Sequence, residues 1–295
     1  MILRCFEVVS GLKINYHKSV LCGVGIPGYT LEEFASLLNC KTQSLPLKYL
    51  RLPLGANPKR KRMWKPIVDK FKLRLAGWKR RFLSYAGRLT LVKAVLSSLP
   101  VFFLSLFKLP EGVAKELDKI QASFLWGGPD LKRKIHLVKW SEVTTSIKQG
   151  GLGIKRIRDM NVCLLLKWWW RFASDHDSLW KRVLCSKYKF LGGSWLPNLC
   201  SSIHHSNIWG GIVAAADKHE PLLLFYITNL HLKVGNGCRI TFWHDQWCGG
   251  ICLKDAFPRL FQLSNSKEGL LKDFASHSSS IWLFTFRRAL FEWEK

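Results

Sequence analysis

Residues 48–93 read KYLRLPLGANPKRKRMWKPIVDKFKLRLAGWKRRFLSYAGRLTLVK, a stretch that combines a helical apolar pattern with a high density of positive charge. It contains fifteen Lys and Arg residues and a single acid, Asp69. Between Trp64 and Trp78, apolar side chains recur at steps of three and four, and Lys and Arg take many of the positions between them. The pattern predicts an amphipathic helix that buries one face and holds its cations on the other.

The residues that follow predict two further helices, so that the region folds as a compact helical unit. One helix runs over residues 88–99, opened by Gly87 and closed by Pro100. The other uses apolar positions between residues 113 and 124 and stops at Gly127, the first residue of a Gly-Gly-Pro sequence.

The front of the chain predicts a small piece of β structure. A helix ends near residue 10, Gly11 turns the chain, and alternating apolar residues over 12–16 predict a short strand, with a second near 20–24. Two short strands cannot bury both of their faces by themselves. We therefore interpret residues 1–57 as the end of a larger element and expect the chain to start within a domain.

The rear of the chain predicts a helical connector and a small mixed unit. Residues 129–190 contain a Gly-rich turn at 149–153 and an apolar helix over 159–172, in which three consecutive tryptophans cover most of the circumference. We assign these tryptophans to a core or a domain interface, not to base stacking. In residues 191–295, Asn236-Gly237 predicts the turn of a β-hairpin.

The predicted fold class is therefore α+β and predominantly helical. It comprises a small β-hairpin remnant (1–57), a helical bundle (58–128), a helical connector (129–190) and a small mixed α/β unit at the C-terminal end (191–295).

The positive charge is concentrated at the front. Of the net charge of +26, residues 1–110 carry +16, residues 111–190 carry +8 and residues 191–295 carry +2.

An apolar content of 48% with 14 Trp excludes a disordered polycation. No uncharged run reaches the roughly 20 apolar residues of a membrane span. Nine irregularly spaced cysteines indicate reduced thiols, so we expect an intracellular protein that is not secreted and binds no membrane.

The basic stretch predicts contact with nucleic acid, because phosphates would hold the mutually repelling cations together. We expect binding to a duplex or hybrid through its backbone, without sequence specificity. A solvated helix face and a nuclear-import signal at residues 59–62 remain alternatives, and the import signal is compatible with binding. The apolar stripe of Trp64, Phe71 and Trp78 is assigned to the core. The predicted nucleic-acid-binding residues are Lys59, Arg60, Lys61, Arg62, Lys65, Lys72, Lys79, Arg80, Arg81 and Arg88.

Other candidate sites match their patterns less well. Cys238, His244, Cys248 and Cys252 offer metal-binding side chains, but their spacing departs from the paired cysteines of structural zinc sites. The acids near residue 176 and at residues 32–33 fit exposed loop or helix-start positions better than acid–base catalysis. The Gly-rich turn at 150–153 lacks the ending of a phosphate-binding loop.

Several sequence blocks together resemble the reverse transcriptase of plant non-LTR (LINE-type) retrotransposons, in the part downstream of its catalytic aspartates. Their order and spacing extend over nearly the whole chain, and the set is far more specific than any single block. The blocks are SGLKINYHKS (10–19), LKYL (47–50), LPLG (52–55), LAGWK (75–79), LSYAGRLTL (83–91), FLWG (124–127), VKW (138–140), GGLGI (150–154), KWWWR (167–171), GNG (235–237) and FWHDQW (242–247).

The resemblance implies a role for each part of the chain. Residues 1–57 would match the end of the polymerase palm and 58–128 the thumb, and the rest would lead toward a zinc-binding region beyond residue 295. Lys18 would occupy the place of a lysine near the incoming triphosphate. The residues matched to the primer-holding turn are Tyr49, Leu50, Arg51 and Gly55. Arg51 departs from the family pattern, which favours Gly at this position.

Polymerisation requires two metal ions held by convergent carboxylates. The family supplies these carboxylates from an Asp-Asp motif that would precede Met1. This chain contains no Asp-Asp or Asp-Glu dipeptide. We therefore expect a truncated, catalytically incomplete protein that binds nucleic acid and has no cofactor of its own. The alternative is that the chain is part of an active RNA-directed DNA polymerase, which uses Mg²⁺ and whose catalytic aspartates lie upstream of Met1. The sequence identifies no protein partner.

Overall fold

The computed structural model describes residues 2–77, 83–127, 138–175, 178–189, 205–217, 220–275 and 282–292. Helices predominate in these ranges, and the β structure consists of two two-stranded sheets and isolated bridges. The predicted fold class, predominantly helical α+β, is confirmed. Within the same ranges, no helix is both long and apolar enough to cross a membrane.

The front segment contains a helix followed by a small β-α-β unit. α1 (Ile2–Ser10) comes first, and α2 (Gly28–Leu38) connects β1 (Val20–Leu21) to β2 (Lys41–Thr42). The two strands pair in parallel. Many large apolar side chains of this segment are exposed, among them Phe6, Val9 and Phe34.

The strand predicted over residues 12–16 is wrong, because local hydrogen bonds hold these residues in another conformation. The Ile14 N–H donates to Glu7 Oε1 of α1 at 2.8 Å. Asn15 Oδ1 accepts from the Lys18 N–H at 3.1 Å and opens a 3₁₀ turn at Tyr16–Lys18. The predicted turn at Gly11, where φ is +68°, is confirmed.

A β-hairpin connects the front segment to the first helical unit. β3 (Leu47–Tyr49) and β4 (Leu52–Leu54) are antiparallel, with Lys48 opposite Pro53. The two residues between the strands, Leu50 and Arg51, both have positive φ. Positive φ at both central positions is the backbone geometry of a tight hairpin turn of type I′.

The first core is built from helices in the order predicted. α3 (Lys61–Gly77) packs against α6 (Glu111–Trp126), which ends at Gly127 as expected. The buried side chains of α3 are Trp64, Ile67, Val68 and Phe71 of the predicted stripe and, in addition, Met63. Trp78, the last residue of the predicted stripe, lies outside the described residues.

The second predicted helix begins earlier than expected. Ser84 Oγ accepts from the Gly87 N–H at 3.1 Å and caps α4 (Tyr85–Leu91), so Gly87 lies in the first turn and does not open the helix. The helix continues as a π-helical turn at Val92–Leu96 and ends before Pro100, after which α5 (Val101–Leu104) follows.

A long helix connects the first core to the second. After α7 (Trp140–Val143) and a 3₁₀ turn at Ile147–Gln149, α8 (Ile157–Ser174) covers the predicted apolar helix. Its first residues pack in the first core and its later ones in the second. The second core also uses α9 (Leu179–Tyr188), α10 (Asn207–Asp217) and α11 (Glu220–Thr228).

The rear unit has an aromatic core around Phe242 and three short helices. These are α12 (Leu253–Ala256), α13 (Pro258–Leu263) and α14 (Leu271–Phe274). The hairpin predicted at Asn236-Gly237 is wrong: residues 235–239 bend, but Thr241 bridges Leu270 instead of a neighbouring strand. Phe242 is buried and packs against Phe274 of α14, with the ring centres 4.4 Å apart.

We predict that Asn161→Ala lowers the free energy of unfolding by about 3 kcal/mol, because it leaves two buried and one half-buried backbone group without partners. Asn161 donates to the Leu104 and Phe107 carbonyls at 2.7 and 2.9 Å and accepts from the Leu109 N–H at 2.9 Å. Urea unfolding provides the measurement. Asn229→Ala, at an exposed amide, is the control and should change stability by less than about 0.5 kcal/mol. Equal losses in both variants would contradict the prediction.

Candidate nucleic-acid interface

The hairpin and the start of α3 enclose a groove of about 590 Å³. Its walls come from both strands of the hairpin, the residues that lead into α3, and Phe103 of α5. Four cations line it: Lys48, Arg51, Arg60 and Arg62. The remaining lining residues are Pro46, Leu47, Pro53, Gly55, Ala56, Asn57, Met63, Pro66 and Phe103, so no carboxylate is found among the described residues that form the groove.

The hairpin turn presents Arg51 at one side of the groove. Arg51 has φ of +67°, a conformation in which an L-residue crowds its own backbone. Gly55 has φ of +79°, and a Cβ atom there would lie 3.0 Å from the Leu45 Cβ. A glycine is therefore required at residue 55, whereas Arg51 occupies its position under strain.

The basic run at residues 59–62 is fixed by two hydrogen bonds at the start of α3. The buried Trp64 Nε1 donates to the Pro58 carbonyl at 2.9 Å, and Asn57 Oδ1 accepts from the Lys59 N–H at 2.9 Å. Trp64 is itself fully buried in the first core. The backbone that carries these cations is therefore anchored to the core, while their side chains are exposed.

The exposed face of α3 extends the positive surface beyond the groove. Lys72 pairs with Glu116 of α6 at 3.5 Å, and both side chains are well exposed, so this ion pair is weak. In the described part of the chain, the other cations of α3 have no ion-pair partner. They are Lys61, Arg62, Lys65, Lys70 and Arg74.

Arg88 has a structural contact that sets it apart from the other predicted binding residues. Its Nη1 donates to the Gly127 carbonyl at 2.5 Å, at the end of α6, and its guanidinium lies 6.0 Å from the Tyr85 ring centre. The side chain is half-buried. Lys79, Arg80 and Arg81 lie outside the described residues.

The predicted primer-holding residues divide between the groove and its outer edge. Arg51 and Gly55 line the groove, whereas Tyr49 and Leu50 are exposed residues of the same hairpin that do not line it. Lys18 lies on the exposed 3₁₀ turn of the front segment and is not a lining residue. Lys48 was not among the predicted nucleic-acid-binding residues, although it is the first cation of the basic stretch. The structure places it opposite Pro53 in the hairpin, and both residues line the groove.

The four candidate metal ligands of the rear unit do not converge. Cys252 Sγ contacts the His244 carbonyl at 3.1 Å, His244 Nε2 lies 3.2 Å from Glu268 Oε1, and Cys238 Sγ faces the Asn236 carbonyl. Burial raises the pKa of the Cys252 thiol, which disfavours the thiolate that a metal would bind. Cys248 is exposed. Over the ranges that the structure describes, no three His, Cys, Asp or Glu side chains could hold a metal ion together.

We predict that Arg51→Gly raises the free energy of unfolding by about 1 kcal/mol, because glycine adopts positive φ without crowding. Lys48→Gly is the matched control: it removes the same charge from the same groove but places glycine in a strand, so it should lower stability. Thermal or urea unfolding of both variants tests the pair. A loss of stability in Arg51→Gly would contradict the strain at this turn.

Comparison with known proteins relates the chain to two proteins of Arabidopsis thaliana. No protein-family model matches it. It is 38% identical over 187 residues to "Putative ribonuclease H protein At1g65750"; the match covers 62% of this chain but only 29% of that protein. It is 30% identical over 152 residues to "Uncharacterized mitochondrial protein AtMg00310", covering 51% of this chain and 92% of the relative. Because nearly the whole of that second protein is matched, the chain belongs to the same family as the mitochondrial protein AtMg00310.

Proposed function

We propose that this chain is a retroelement-derived protein that binds nucleic acid by its sugar–phosphate backbone, in the groove between the hairpin and α3. The observation that carries the proposal is the convergence of Lys48, Arg51, Arg60 and Arg62 on one groove whose described lining includes no acid. Convergent cations without neutralising carboxylates suit a polyanion.

The cations of the groove favour phosphate contacts over base reading. Arginine side chains bind phosphate oxygens through two parallel hydrogen bonds, and these contacts position a strand without identifying its sequence. The exposed cations of α3 provide further phosphate contacts along the same helix. We therefore propose binding to duplex or hybrid nucleic acid with little sequence preference.

The comparison supports this class of ligand. The relative with the higher identity is named a ribonuclease H protein, and a ribonuclease acts on nucleic acid. The chain spans 29% of that relative, so the ribonuclease activity in its name is not carried over here.

The finer proposal is that the chain corresponds to the palm end, thumb and connector of a LINE-type reverse transcriptase and is catalytically incomplete. The resemblance of the LKYL, LPLG and LSYAGRLTL blocks supports it, since these blocks form the hairpin and α4. We also propose an intracellular, nuclear location, because residues 59–62 have the composition of an import signal and are exposed.

The alternative proposal is that the chain is part of an active RNA-directed DNA polymerase. Mg²⁺ would then be held by aspartates encoded upstream of Met1. Translation of the genomic sequence before Met1 separates the two proposals. An in-frame aromatic-Ala-Asp-Asp motif a few tens of codons upstream favours the polymerase, and an in-frame stop codon favours the remnant.

We predict that binding weakens steeply with salt, with a slope of log K against log salt concentration of about −4 to −7 for six to eight phosphates. Arg60→Ala/Arg62→Ala should reduce the magnitude of this slope by about 2 and weaken binding to unrelated duplexes equally. Filter binding over a salt series measures both quantities.

The control is Lys148→Ala/Lys155→Ala, which removes two exposed cations away from the groove. It lowers the net charge by the same amount and should leave most of the slope unchanged. Salt-independent binding, or equal slopes in the two double variants, would show that the groove is not the interface.

A further inference from the structure

The three consecutive tryptophans of α8 have different environments. Trp169 is 1% exposed and belongs to the second core. Trp168 donates from Nε1 to the Ser105 carbonyl at 2.6 Å and meets the Trp180 ring edge to face. Trp170 is 54% exposed and lines a cavity of about 310 Å³. Trp169 therefore packs in a core, whereas Trp170 faces the segment at residues 230–240 with a ring that is more than half exposed.

The opposite wall of this cavity is an irregular segment over residues 230–240. Asn236 Oδ1 accepts from the Cys238 N–H at 3.1 Å and fixes the turn. A side chain at Gly235 would meet nothing within 4 Å, so the backbone there faces open space. At Gly237, a Cβ would lie 2.9 Å from the Lys272 backbone nitrogen, so this turn requires glycine.

Arg239 holds the two walls at a fixed separation. Its Nη2 donates to the Ala173 carbonyl at 2.7 Å, in the last turn of α8, one turn beyond Trp170. The cavity is therefore built by a tertiary contact between α8 and the segment that faces it.

The chemistry of the lining points to one class of ligand. It combines an exposed indole with Lys233, His231 and Arg239, and the described residues around the cavity include no Asp or Glu. Lys233 and His231 are exposed. A flat aromatic surface beside an exposed lysine suits an aromatic base joined to a phosphate.

We propose that this cavity binds one unpaired nucleotide of a single strand, with its base stacked on Trp170 and its phosphate on Lys233. Its volume is at the lower end of ligand pockets, about 300 Å³, which is room for one base and not for a base pair. The site goes beyond the basic groove: it lies on different elements and takes a single strand by stacking. It relies on the proposed function only for the class of ligand.

The test measures binding of an oligothymidine of about 12 nucleotides to the full chain by fluorescence anisotropy. Trp170→Ala should weaken binding at least fivefold, since stacking of one base contributes about that factor or more. Trp170→Phe keeps a stacking ring and should remain within about threefold of the unchanged chain. Duplex binding should be unchanged in both variants.

The charge contribution has its own matched pair. Lys233→Ala should weaken single-strand binding, whereas Lys148→Ala, which removes another exposed lysine from the 3₁₀ turn at Ile147–Gln149, should not. Because stacking is insensitive to salt, Trp170→Ala should lower affinity at every salt concentration without changing the slope. A smaller salt slope for duplex binding by Arg60→Ala/Arg62→Ala tests the groove alone. The proposals for the groove and for the cavity can therefore be contradicted independently.

A second measurement locates the base. Photocrosslinking of a bromouracil-substituted oligonucleotide, followed by mass spectrometry, should give adducts on the peptide that contains Trp170. Absence of single-strand binding, equal affinity of Trp170→Ala and the unchanged chain, or adducts confined to the groove peptides would each overturn the proposal.

Discussion

The side-chain amide of Asn161 holds the corner at residues 104–109 against α8, and the arrangement of the first two cores depends on it. The corner lies between α5 and α6, where several backbone groups are bonded by side chains of α8. Asn161, 3% exposed, satisfies three of them, and Trp168 satisfies the Ser105 carbonyl. Lys108, from the same corner, donates to the Ala214 carbonyl of α10 at 2.9 Å. A buried backbone must find such partners, so one corner fixes α8 and α10 together.

The groove is connected to this corner by a row of aromatic rings. The Phe107 carbonyl accepts a hydrogen bond from the Asn161 amide. The ring centres of Phe107 and Phe103 are 6.0 Å apart, as are those of Phe103 and Trp64. Phe103 forms part of the groove, and Trp64 holds the Pro58 carbonyl just before the basic run. The backbone positions of Arg60 and Arg62 are thus set by the same packing that joins the cores. Preorganised cations need little rearrangement when a polyanion arrives.

How much the sequence predicts depends on where a segment finds its partners. The stripe of α3 and the Gly127 stop of α6 were predictable because their signals repeat within one helix. The predictions that were wrong depend on contacts between separate segments, which no local pattern contains. The Glu7 carboxylate accepts from the Ile14 N–H, so residue 14 is not in the predicted strand. Phe242 packs in the core of the rear unit instead of continuing a hairpin from residues 235–237. The same holds for the candidate sites. The basic run was visible in the sequence, but the hydrogen bond from Arg88 to the Gly127 carbonyl was not. The spacing of residues also did not predict that Trp170 is exposed beside residues 230–240.

The cations at the start of α3 occupy the end of the helix where its dipole repels them. Lys61 and Arg62 lie in the first turn, which holds no acid, and each destabilises the helix by about 0.3–1 kcal/mol. Burial of Trp64 and Phe71 contributes about 1.5–3 kcal/mol per side chain and exceeds that repulsion, so the helix forms without help. A phosphate in the groove would be attracted by the cations and by the helix dipole together. A bound phosphate would therefore offset the repulsion that opposes folding of this stretch, so a bound polyanion should stabilise α3 and the groove as one unit.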